Sequence, residues 1–241
     1  MNKIGLYLGR FQPFHKGHLS VIQEAMKHCD HLIIAIGSAQ EEATLKNPFS
    51  YTERVDMIYD CLEHYYPLDF HKFTVIGIED RDEYSDDSSW GKYLISTVEE
   101  LTGLRPHISF EGEETIRSHW FDDVDIERVV IPRELVKVSA TDVRETLRLD
   151  DYAAYCDKMP KPLHSWFDGL QKQWLTIHTG HFVRKIFILE TEEPQEFGEP
   201  IRLTSIITSY LAGDTLEEAV KRHTDKYPER IIISAKEKNY E

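Results

Sequence analysis

Two histidines three positions apart, His15 and His18, stand beside Arg10 and Lys16 in the stretch Gly9-Arg10-Phe11-Gln12-Pro13-Phe14-His15-Lys16-Gly17-His18, which holds no carboxylate. Side chains of these types donate hydrogen bonds and positive charge, so the guest they suit is an anion, and a phosphate above all. The pattern His-x-Gly-His is weak by itself, since His178-Thr179-Gly180-His181 repeats it in the same chain. Context separates the two copies. The first has a strand before it, the Gly-Arg-Phe-Gln-Pro-Phe lead-in and a helix after it. The second lacks all three and reads as coincidence.

The elements that must hold the first copy are visible on either side. Ile4, Leu6 and Leu8 alternate with Gly5 and Tyr7 and stop at Gly9, as in a strand with one well-buried face. Leu19, Ile22, Ala25 and Met26 recur at helical spacing. Arg10 to Gly17 is therefore a strand-to-helix loop. In an open α/β sheet such a loop lies at the carboxyl end of its strand, where ligands bind and helix amides face an anion.

The rest of the chain repeats this alternation. His31 to Ile36 is the near-continuous apolar run of a parallel strand covered on both faces. Ser50-x-x-Glu53 is a capping box opening a helix through Val55, Ile58, Tyr59 and Leu62. Phe73 to Ile78 reads as a third strand, followed by the acidic loop Glu79 to Ser89 and a helix that Trp90 opens and Gly103 caps. His107 to Phe110 is a fourth strand, Glu113 to Trp120 a short helix, and Arg128 to Ile131 a fifth strand. Ser139-x-x-Asp142 caps a further helix and sets Arg144 in its second turn, leaning back toward an anion-ready helix end. The expected fold is α/β, a Rossmann-like parallel five-stranded sheet with helices on both faces. From Asp151 to about Leu175 the pattern is helical, with Trp166, Phe167 and Trp174 read as core residues. From Thr176 to Glu241 a small α+β unit follows: strands Phe182 to Leu189 and Ile201 to Tyr210, a helix Thr215 to His223, and a strand Arg230 to Ser234.

Composition narrows the function classes. A formal net charge of −15 argues against general affinity for a nucleic-acid backbone, which takes a basic face. It does not forbid a local phosphate pocket made of Arg10, His15, Lys16, His18 and Arg144. No apolar run approaches the roughly 20 residues of a membrane span, so a soluble cytoplasmic protein without a membrane partner is expected. Cys29, Cys61 and Cys156 are odd in number and far apart, which reads as three buried thiols.

Gly9 to His18 resembles the signature of the nucleotidyltransferase superfamily, and within it the nicotinamide-mononucleotide adenylyltransferases of the archaeal type and their bacterial bifunctional relatives. Gly37-Ser38-Ala39-Gln40 with Asn47-Pro48-Phe49-Ser50-Tyr51-Thr52-Glu53-Arg54 resembles the family's second block. Trp90 with Tyr93 resembles its nicotinamide-stacking segment, and Val138-Ser139-Ala140-Thr141-Asp142-Val143-Arg144 its Ile-Ser-x-Thr-x-x-Arg motif. The similarity runs to about Leu175 and makes that part the nucleotidyltransferase domain. In bifunctional relatives a Nudix hydrolase domain follows. Its glutamate-rich metal box is missing here, with Lys221-Arg222 and Asp225-Lys226 where its acidic residues belong. The tail is then either a decayed remnant of that domain or an unrelated scaffold for a homo-oligomer.

The resemblance implies attack of a mononucleotide's 5′-phosphate on the α-phosphorus of ATP, with pyrophosphate leaving. It implies catalytic roles for His15, His18, Arg10 and Arg144, and ATP contacts from Gly9, Arg10, Phe11, His15, Gly17, His18, Ser139, Thr141 and Arg144. Lys16 would be peripheral. Ser38, Asn47, Phe49 and Trp90 would hold the mononucleotide. Mg²⁺ would enter with ATP and take no ligand from protein side chains. A phosphate monoester is largely dianionic at neutral pH, so the nucleophile needs no general base, which fits a motif of donors alone. Gly112-Glu113 stands where relatives carry Gly-Asn. The acceptor thus stays open between nicotinamide mononucleotide, its acid form and another small phosphate such as flavin mononucleotide or phosphopantetheine. A non-catalytic sensor of NAD or ATP is the rival from another class.

Overall fold

The computed structural model describes residues 2–81, 87–112, 119–132, 137–179, 185–193, 201–209, 215–226, 228 and 231–239. The chain divides into two compact units, Met1–Gln171 and Lys172–Glu241.

In the first unit five strands, β1 (Ile4–Gly9), β2 (His31–Ile36), β3 (Phe73–Gly77), β4 (Ile108–Gly112) and β5 (Glu127–Ile131), form one sheet in the order β3-β2-β1-β4-β5. Every pairing is parallel. Helices α1 (Lys16–Ala25), α2 (Tyr51–Tyr65) and α3 (Asp87–Thr102) link the first four strands. After β5 come α4 (Ala140–Arg148), α5 (Tyr152–Lys158) and α6 (Phe167–Thr179), whose residues from Lys172 onward belong to the second unit. The order reverses between β3 and β4, so right-handed crossovers put α3 on the opposite face from α1 and α2. Leu32, Ile33, Ile34, Ala35 and Ile36 are completely buried, as a strand covered on both faces requires. On the α3 face Leu6, Ile33, Ala35 and Ile76 meet Leu94, Ile95 and Val98 of the helix. Tyr7 points the other way, its ring against Phe11 and His18.

One expected helix start is corrected. Trp90 does not open its helix. α3 already starts at Asp87, and an Asp-Ser-Ser run, read from sequence as loop, suits a helix N-terminus. Of the short helix expected over Glu113 to Trp120 only His119 and Trp120 are described, and Trp120 to Asp123 is a turn, with the Asp122 N–H on His119 O and the Val124 N–H on Phe121 O. Residues 113–118, Glu113 among them, lie outside the described residues. Cys29 and Cys61 are buried, but Cys156 is only half-buried. Gly103 caps α3 as expected, at φ 69°.

In the second unit β6 (Lys185–Glu193) runs antiparallel between β7 (Ile201–Ser209) and β8 (Ile231–Asn239), with α7 (Leu216–Lys226) between the last two in sequence. The β-β-α-β reading of the tail holds. Phe182, Tyr210 and Arg230, placed in its strands, lie outside the described residues. Among the described helices none is long and apolar enough to cross a membrane.

Gly91 is the most crowded of the described glycines: a Cβ there would run into the Trp120 carbonyl oxygen. Helix α3 can approach that turn only without a side chain. Gly91→Ala should therefore cost about 3 kcal/mol or more, read as a lower urea midpoint at unchanged slope.

Candidate active site

β1 and β4 are neighbours whose onward connections run to opposite sides of the sheet. The gap beyond their carboxyl ends is the switch point where open α/β sheets take ligands. A cleft of about 480 Å³ lies there, lined by the loop after β1, by Gly112 ending β4, by Ile131 and Pro132 at the end of β5, and by the first turns of α1 and α4. Its lining includes Arg10, His15, His18, Lys46 and Arg144, and among the described residues it has neither Asp nor Glu. In a chain of net charge −15 this is a local inversion of sign.

The two imidazoles are oriented by the backbone they cap. His15 is the N-cap of α1, extended at φ −150°, and its Nδ1 accepts the Gly17 N–H at 3.1 Å. The His15 N–H donates in turn to His18 Nδ1 at 3.2 Å. A ring nitrogen that accepts carries no proton, so each neutral ring holds its proton on Nε2. The rings stack with centroids 3.7 Å apart. Buried Phe11 and Phe14 flank His18 at 4.7 and 5.5 Å. Burial, and secondarily the neighbouring His15, hold the His18 pKa well below the usual imidazole value.

Gly17 serves the cap as well as the cleft. A Cβ there would come within 3.0 Å of the His15 ring and 3.1 Å of Val138 O, so glycine lets the starts of α1 and α4 approach each other. Both helix N-termini turn their positive ends toward one cleft. At α4 the Ser139 Oγ accepts the Asp142 N–H at 3.2 Å, while Asp142 takes the Ser139 N–H at 2.9 Å. Arg144 donates from Nη1 to Gln12 O at 2.6 Å and from Nη2 to Thr141 Oγ1 at 3.3 Å. Burial first, and the Arg10 charge second, lower its pKa. Two like charges held close together favour an anion between them. Lys16, as expected of a peripheral residue, turns elsewhere: its Nζ donates to Asp157 O at 2.8 Å and Cys156 O at 3.2 Å, at the end of α5.

Of the residues expected around ATP, the structure gathers Arg10, Phe11, His15, Gly17, His18, Ser139, Thr141 and Arg144 along this cleft. Gly9 is behind it, where a Cβ would lie 2.8 Å from the Phe11 ring. The residues expected around the mononucleotide are outside the lining. Ser38, Asn47 and Phe49 are buried, Ser38 at φ 49°, and Asn47 Oδ1 has no hydrogen-bond partner among the described residues. Trp90 stacks on Tyr93 at 5.2 Å, meets Trp120 edge-on at 5.9 Å, and packs against the α3 core.

Three further residues enter that sequence reasoning passed over. Lys46 lines the cleft; a lysine directly before Asn47-Pro48-Phe49 was a visible signal. Gln12 clamps Phe49 through both ends of its amide, donating to Phe49 O at 2.9 Å and accepting the Phe49 N–H at 2.8 Å. Arg54 is wholly buried beneath the β1 and β2 loops. Among the described residues no group of three or more His, Cys, Asp or Glu is placed to hold a metal ion.

A model of the cytidylyltransferase-like family matches residues 6–146, a span that contains every described residue of the cleft's lining. The chain belongs to the cytidylyltransferase-like family. It is similar to the nicotinamide-nucleotide adenylyltransferase of Thermococcus kodakarensis, 33% identical over 148 residues that cover 61% of this chain and 73% of the relative. It is also similar to the nicotinamide/nicotinic acid mononucleotide adenylyltransferase of Acinetobacter baylyi, 33% identical over 58% of this chain and 72% of that one. Among solved structures, a bifunctional NMN adenylyltransferase/ADP ribose pyrophosphatase from Francisella tularensis, complexed with AMP and a manganese ion, shares the fold. The TM-score is 0.58 at 19% identity, over 92% of this chain and 72% of the other.

The lowered His18 pKa fixes the sign of a pH effect. Below about pH 6.5 an unfolded chain protonates this imidazole while the folded chain does not, so stability is lost as the pH falls. The expected slope from this one group is at most about 1.4 kcal/mol per pH unit. It should vanish in His18→Gln, measured by urea unfolding between pH 5 and 7.

Proposed function

We propose that the chain transfers the adenylyl group of ATP to nicotinamide mononucleotide or its acid form, releasing pyrophosphate, as a step of NAD biosynthesis. The observation that carries this reading is the cleft itself. Two imidazoles whose Nδ1 atoms are taken by backbone amides, two guanidiniums and a lysine line the cleft at the switch point, and the described lining contains no carboxylate. Such a set cannot act as a carboxylate base, and it has no need to. The acceptor phosphate is already dianionic, and its oxygen attacks the α-phosphorus as the bond to the β-phosphate breaks.

The residues then have separate tasks. His15 and His18 donate from Nε2 to oxygens of the α- and β-phosphates, where negative charge grows in the transition state. Arg10 and Arg144 pair with the departing pyrophosphate, and Lys46 adds charge at the same mouth. Ser139 and Thr141 order the amides at the start of α4, while Phe11 walls the His18 ring and Gly9 leaves room for Phe11. Gly17 lets the backbone come close. With no carboxylate in the described lining, Mg²⁺ entering with ATP would be held by the nucleotide's own phosphate oxygens and would supply neutralising charge there. On the mononucleotide side the partly buried Trp90 offers an aromatic face for a cationic ring, while Ser38, Asn47 and Phe49, being buried, act by shaping the β2 loop and the turn before α2. These roles belong to the domain that ends near Leu175; none is given to the three-stranded unit. The cytoplasm, where free thiols persist, is the proposed compartment.

The test is pyrophosphate release from magnesium-ATP with nicotinamide mononucleotide, its acid form, flavin mononucleotide and phosphopantetheine in parallel. Release is expected with one or both of the nicotinic pair; silence with both rejects the reading. His18→Ala should lower kcat by about a hundredfold or more with the fold retained, because one transition-state donor is lost.

A further inference from the structure

Arg54, on α2, is completely buried, and each of its five N–H groups has an acceptor. Nε donates to Ser50 O at 3.2 Å, Nη1 to Arg10 O at 3.2 Å and Gly37 O at 2.9 Å, and Nη2 to Ser38 O at 3.1 Å and Glu41 O at 3.5 Å. Every one of these acceptors is a main-chain carbonyl. They come from the loop after β1, the loop after β2 and the turn that opens α2. Burial lowers the Arg54 pKa to about 10, which leaves the group charged at neutral pH. A buried charge is costly, and space alone would be filled more cheaply by an apolar side chain.

The carbonyls it binds set the peptide planes. A peptide unit is planar and trans, so with Arg10 O and Gly37 O turned to the guanidinium, the Phe11 and Ser38 N–H groups point away from it. Ser38 is held at φ 49°, a conformation that serine adopts only when its surroundings impose it. The two loops joined in this way carry different cargo in the function proposed above. The β1 loop bears Arg10, on the ATP side; the β2 loop bears Ser38, on the mononucleotide side.

We propose that Arg54 is a positioning residue for adenylyl transfer. Its guanidinium fixes the β1 loop against the β2 loop, and so aims the acceptor phosphate at the α-phosphorus. The inference rests on the proposed function and deepens it. Alignment of two bound reactants contributes to the rate and not to the binding of either one, which separates this role from a merely structural one.

Arg54→Lys keeps the charge but places three donors on one nitrogen, too few for five carbonyls. ATP sites are counted by equilibrium binding well below the unfolding transition, and single-turnover pyrophosphate release is then measured per ATP site with nicotinamide mononucleotide. The expected result is an ATP Kd within about twofold of the parent protein and a rate per site lower by about tenfold or more. A rate per site within about twofold of the parent overturns the proposal. Should the lysine variant not fold, Arg54→Met is read in the same way, and if neither folds, Arg54 belongs to the fold alone and the positioning role is rejected. A parent protein that releases no pyrophosphate rejects the proposed function instead, whatever Arg54 does.

Discussion

The active end of this molecule depends on two hydrogen bonds from backbone amides to imidazole nitrogens: Gly17 N–H to His15 Nδ1 and His15 N–H to His18 Nδ1. Helix α1 must satisfy its first amides in some way, and here it does so with ring nitrogens in place of a serine or aspartate oxygen. The same act that caps the helix decides which nitrogen of each ring bears hydrogen. The missing Cβ of Gly17 follows from this geometry, because the His15 ring occupies its place. So does the Phe11 and Phe14 wall, which keeps His18 neutral and its donor fixed.

Charge is arranged on two scales. The whole chain is strongly acidic, while the described lining of the cleft is entirely neutral or cationic. Mean charge governs encounters at long range and is screened over about 10 Å in salt, whereas a pocket acts within contact distance. The starts of α1 and α4 add their dipoles to Arg10, Lys46 and Arg144. Repulsion between Arg10 and Arg144 is relieved when a polyanion enters.

What the sequence revealed and what it hid follow from range. β1, β2, the body of α1 and the starts of α2 and α4 were legible because apolar alternation and capping boxes are local signals, complete within a few residues. The same holds for the β-β-α-β order of the tail. The start of α3 was misplaced because Asp87-Ser88-Ser89 is polar enough to read as loop. Most residues of the cleft came into view through motifs, but the long-range ties among the loops did not. Gln12 meets Phe49 across 37 positions and Arg54 meets Arg10 across 44, and no periodicity encodes such partners. A buried arginine on an amphipathic helix looks, in sequence, like any solvated one.

Lys16 and Arg144 give the molecule a particular order of assembly. Arg144 reaches Gln12 across 132 positions, and the Lys16 ammonium reaches Asp157 across 141. The loop after β1 thus acquires its last supports only when α4 and α5 exist. Domains form as units while the chain emerges from the ribosome, and closing so long a separation comes late. A nascent chain stopped short of α4 holds both histidines yet has half a cleft, so the growing polypeptide stays unable to grip nucleotide until this part of it is nearly complete.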